Sequence, residues 1–79
     1  MPGDQEEPEN NITLAMAAVG VALTQTLVEL DGRVLKIIQE KAKDLRAHMT
    51  MIGAQEADLV LATFVRALHD KRFFPQQPE

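Results

Sequence analysis

Asp44 and His48 stand four residues apart, a spacing that puts two side chains on one helix face and can offer two ligands to a metal ion. Two ligands do not complete a site. The second histidine, His69, lies far along the chain, and there is no cysteine to supply a thiolate. Glu40 and Asp44 are also four apart, but they sit among Lys36, Lys41 and Lys43. They read as solvated ion-pair partners, each pair worth about 0.2–0.5 kcal/mol. Catalysis needs a convergent set of reactive groups, and the sequence has no cysteine, serine, tyrosine or glycine-rich phosphate loop. The expectation is a non-enzymatic protein with no metal and no cofactor.

The middle of the chain offers a different chemistry. Residues 33–48 hold Arg33, Lys36, Lys41, Lys43 and Arg46 against Glu40 and Asp44, a local charge of +3. On a helix, Lys36, Gln39, Lys43 and Arg46 share one sector, and a twofold dimer displays that sector twice. Such a pair of faces can grip the phosphates of a nucleic acid. No aromatic residue lies in the sector to stack on bases. A solvated helix back with alternating charges is the simpler reading, so the nucleic-acid regulator ranks second. Two short strings rank lower still. Arg72-x-x-Pro75-x-x-Pro78 has the form of a polyproline ligand, but Pro75 also serves to stop a helix while Phe73 and Phe74 close a bundle end. Asn11-Ile12-Thr13 spells a glycosylation acceptor, yet Asn10 or Asn11 suits a helix N-cap better.

These residues need a scaffold, and 79 residues give a small one. Chains of this size have marginal cores without disulfides, a metal or oligomerisation. With cysteine absent, oligomerisation is the favoured remedy, and a reducing, cytoplasmic setting is expected. The net charge of −4 resides in the first eleven residues, through Asp4, Glu6, Glu7 and Glu9. From 12 to 78 the chain has eight bases against seven acids, so global charge does not argue for nucleic acid. Residues 1–11 are polar and proline-bearing and read as a disordered acidic tail, with 12–74 as one helical domain and 75–79 as a second disordered tail.

The uncharged run from 12 to 28 just reaches the length of a membrane span. Its content falls short: Thr13, Thr24, Gln25 and Thr26 are polar, and the chain has no tryptophan or tyrosine to anchor at an interface. The acidic flank is the wrong charge for a signal peptide. The expectation is a helix buried in protein, with no membrane.

Ile12, Met16, Val19, Leu23, Leu27, Leu30, Val34, Ile38, Ala42, Leu45, Met49 and Ile52 step by threes and fours without a phase slip across Asp31-Gly32. Such a stripe predicts one long helix, about 12–49. The rival is a break at Asp31-Gly32, a common turn signal, giving a three-helix bundle. A further helix, about 54–71, carries Ala57, Val60, Leu61, Phe64 and Leu68 on one face. Leu14, Val21, Val28 and Leu35 form a second, strict seven-residue repeat roughly opposite the main stripe. In a hairpin the short second helix covers only the C-terminal half of the long one, so this second face needs another chain. Ala15, Ala18 and Ala22 allow close approach there. The reading is an all-α helical hairpin that self-associates into a bundle, most simply a homodimer. Its expected function is a small interaction or regulatory protein, with Leu14, Val21, Val28 and Leu35 as the self-association or partner interface. No motif carries a resemblance to a known family.

Overall fold

The computed structural model describes residues 8–77, and these form three helices with no strand among them. Helix α1 spans Pro8–Leu30, α2 spans Val34–Ile52 and α3 spans Gln55–Leu68. The all-α class expected from the periodicity is what the chain adopts, in its three-helix form. The single helix over 12–49 is not formed: the chain breaks between Leu30 and Val34.

Asp31 makes the break, and Gly32 does not. In a continuous helix the Arg33 N–H would donate to the carbonyl four residues back. It donates instead to the Asp31 carboxylate, at 3.0 Å, and the Arg33 guanidinium closes on the same carboxylate at 2.9–3.0 Å. Val34 and Leu35 then donate to Asp31 and Gly32 in three-residue steps, at 3.1 and 3.3 Å. Arg33 stays in right-handed helical conformation, and Gly53 is the glycine with positive φ among the described residues. The chain nevertheless turns back at this link, and the threes-and-fours spacing continues across it only as a pattern in the sequence.

The same device recurs in the turn after α3. Arg72 donates its N–H to Asp70 at 2.9 Å and its guanidinium to the same carboxylate at 2.8–3.3 Å. Helix α2 ends differently, on Gly53 at φ 76°. There Ala54 N–H reaches the Met49 carbonyl and Gly53 N–H reaches that of Thr50, the paired bonds of a Schellman turn. Helix α1 begins at Pro8, a residue suited to a first turn. Asn10 and Asn11 therefore lie inside α1 rather than at its start, and residues 1–7 of the expected acidic tail lie outside the described residues.

Arg46 meets Asp58 and Gln39 meets the Leu68 carbonyl, so α3 runs antiparallel to α2. Along α1 it runs parallel, with Phe64 lying on Gly20 and Gln25 donating to the Phe73 carbonyl at 3.1 Å. A Cβ on Gly20 would stand 2.9 Å from the Phe64 ring, so the glycine sets how closely α3 approaches. Helix α3 packs on both α1 and α2, which touch each other far less.

The core is Val28, Leu35, Ala42, Leu68 and Phe74, with Val21, Val34, Ile38, Phe64 and Val65 packed around it. Phe74, 1 % exposed, plugs the end of the bundle as expected, while Phe73 stays partly outside. The ordered chain continues past 74: Gln77 donates its N–H to the Phe74 carbonyl at 3.3 Å and accepts from Gln39 at 3.2 Å. Of the expected tail over 75–79, Pro75 and Gln76 lie in a turn, and residues 78–79 lie outside the described residues.

Candidate functional site

The body of helix α1 is uncharged on every face. No charged residue occurs between Ile12 and Val28. Two of its hydroxyls are turned onto its own backbone, Thr24 to the Gly20 carbonyl at 2.8 Å and Thr26 to that of Ala22 at 3.1 Å. One face enters the bundle through Ala17, Thr24 and Val28, each 4 % exposed, with Val21 half-buried beside them. A helical rotation away stand Ile12, Met16, Val19, Leu23, Leu27 and Leu30. They are 47–79 % exposed, with Leu23 at 63 %.

This reverses the roles expected for the two stripes. The seven-residue repeat was expected to lack a partner within its own chain. Instead α3, freed by the break to lie along α1, covers it. Val28 and Leu35 are core, Val21 is packed against the core, and only Leu14 remains largely exposed. The main stripe, expected to face inward throughout, does so only in α2, through Val34, Ile38 and Ala42. In α1 it faces water.

The outward stripe also has a margin. Beside Ile12 and Met16 a groove of about 490 Å³ opens against Ala57, Leu59 and Val60 of α3. Met51, Ile52 and Leu59 are exposed around the α2–α3 turn. Among the described residues, large apolar side chains facing water outnumber those in the core. A monomer normally keeps such a patch only when something docks on it.

The four residues of the expected anionic-partner face do not act together. Arg46 is held at 2.9 Å by Asp58 of α3. Gln39 turns inward to the Leu68 carbonyl and Gln77. Lys43 stays exposed on α2. Lys36 instead joins Arg33, Gln39, His69 and Gln77 around a cleft of about 480 Å³ between the start of α2 and the C-terminal turn. The Arg33 guanidinium is already committed to Asp31. That pair holds the Asp31 carboxyl below its ordinary 3.8 and raises Arg33, and Asp70 with Arg72 behaves alike. Asp44 and His48 stand exposed on α2. No group of three or more His, Cys, Asp or Glu side chains suited to a metal occurs among the described residues.

Two signals for this arrangement were present in the sequence. A helix without charge on any face from 12 to 28 has more apolar surface than the single apolar face of α3 can cover. The repeated Asp-x-Arg, at 31–33 and 70–72, marks both turns. The fold and face together define a class, an all-α three-helix bundle with an apolar helix face turned outward. No family model, curated protein or solved structure matches the chain. Its function is therefore argued from its own residues.

Proposed function

We propose that this is a non-enzymatic interaction protein that works by protein association through the outward face of α1. The observation that carries the reading is the uncharged stripe Ile12, Met16, Val19, Leu23, Leu27 and Leu30, exposed on a helix whose opposite face is already buried. A helix apolar on two sides belongs between two packed bodies, and the chain itself provides one. Helix α1 from Asn11 to Leu30 is also long and apolar enough, by length and composition, to cross a membrane. A lipid role fits less well. Leaving the bundle would strip Ala17, Thr24 and Val28 out of the core, and the acidic run before α1 repels anionic headgroups.

A photoreactive phenylalanine analogue tests this reading. Placed at Val19, Leu23 or Leu27 in cells, it should trap discrete protein adducts, while at Lys41 on the charged back of α2 it should trap none. Equal labelling at both places, or no protein adduct from the stripe, would remove the reading. Flotation with liposomes in place of protein adducts would substitute the membrane for it.

The basic-sector reading is kept as the alternative because Lys36 lies beside Arg33 in the cleft. A low-salt gel shift decides it: binding lost on Lys36→Ala and Lys43→Ala favours it, and no shift dismisses it.

A further inference from the structure

Resting on the association-face reading, we propose that the occupant of the outward α1 face is a second copy of this chain, laid antiparallel so that α1 packs on α1 about a twofold axis near residue 21.

Area comes first. Six side chains, mostly 58–79 % exposed, present on the order of 600 Å² of apolar surface, at the upper limit of what a monomer exposes in one patch. A standard interface takes about 800 Å² per partner. The exposed Ala15 and Ala22 beside the stripe bring the face close to that figure. They also let two helices approach closely. The stripe offers no charge, so nothing on it selects an acidic or basic partner. Its best complement is a surface equally long, straight and uncharged, and α1 of another copy is such a surface.

Charge then fixes the direction. Asp4, Glu6, Glu7 and Glu9 precede or open α1, with no base among the first eleven residues. A parallel pair would place two such runs of −4 side by side. An antiparallel pair puts the two runs at opposite ends of the seam, where each meets Glu29 and the Asp31–Arg33 pair instead of a second charge of −4. Antiparallel packing also opposes the two helix dipoles.

Residue sizes agree with this direction. The N-terminal half of the stripe is Ile12, Met16 and Val19, and the C-terminal half is Leu23, Leu27 and Leu30. About an axis near residue 21 the neighbours become Ile12 with Leu30, Met16 with Leu27 and Val19 with Leu23. Every leucine meets a different side chain, and the contact volume is even along the seam.

The chain has no cysteine, so introduced thiols report without interference. Purified Ile12→Cys and Leu30→Cys chains, one carrying a mass tag, are mixed and treated with a short bis-maleimide. The expected result is a mixed product far in excess of either self-linked product, because the two copies of position 12 lie about 27 Å apart along an antiparallel seam. Leu23→Glu, at an exposed position, should leave the circular dichroism of the folded monomer unchanged while weakening self-association at least about 100-fold. Self-linking of Ile12→Cys in excess of the mixed product would mean parallel packing and overturn the proposal. An unlinked mixture with a monomer mass at millimolar concentration would overturn it as well. If the photoreactive positions trap a foreign protein while this mixture stays unlinked, the association face stands and the second copy falls. If neither gives a product, both fall.

Discussion

The two faces of α1 are alike in carrying no charge from Ile12 to Val28 and opposite in fate. Ala17, Thr24 and Val28 are sealed under α3 and the C-terminal turn, while Met16, Val19 and Leu23 stand mostly in water. Helix α2 has no such duplication: Leu35 and Ala42 go inward, and its back carries Lys36, Glu40, Lys43 and Asp44. Charge on the back of a helix tells which face is core, and α1 withholds that information. What separates its two faces is geometry, since α3 is one helix wide and Phe64 settles on Gly20. The face with glycine and small residues takes the neighbour. The face with leucines is left for something else.

That contrast can be broken most severely from the inside. Phe74→Ala should cost about 3–5 kcal/mol, close to the whole stability of a small domain, and thermal melts should show loss of the cooperative transition. Leu23→Ala, on the outward face, should shift the monomer melt by less than about 0.5 kcal/mol. Comparable losses at the two positions would mean that both faces are core. Next in size, Gly20→Val should destabilise by about 2 kcal/mol, because the added side chain meets the Phe64 ring where a Cβ alone would stand at 2.9 Å.

Gly32 gives a smaller effect of the opposite sign. A Cβ there meets nothing within 4 Å, and its φ is not positive. Gly32→Ala should therefore stabilise by about 0.4–1 kcal/mol without fusing α1 to α2, since Asp31 makes the break. A chain straightened by Gly32→Ala would show that the glycine was responsible.

Smallest of all is the pH response of that turn. Arg33 lowers the Asp31 carboxyl below 3.8. Its contribution to the fold is therefore present above the ordinary carboxyl value and is lost as the pH falls through the lowered one. A carbon-detected titration should find Asp31 below 3.8 in the intact chain and shifted upward in Arg33→Ala, which removes the guanidinium but keeps the backbone N–H bond.

Much of this was legible in advance. The all-α class, the end of α2 at Gly53 and the plug at Phe74 follow from spacing, a glycine and a terminal aromatic pair. The break at 31–33 was legible only as a rival, because the threes-and-fours spacing of the stripe continues across it in the sequence. Once the chain is taken as continuous, the error propagates: α3 is assigned to the main stripe, and Val28 and Leu35 are left for a partner that the chain already supplies. That α1 has one apolar face too many was visible in its missing charges. Which face is surplus depends on how α3 crosses at Gly20, and no local pattern encodes that.

Light scattering on a sizing column, over a wide concentration range, tests the central claim most directly. The account predicts that the wild-type chain elutes as a dimer, twice its 8.8 kDa, and that Leu23→Glu elutes as a folded monomer. A wild-type chain that stays a folded monomer at every concentration would contradict it.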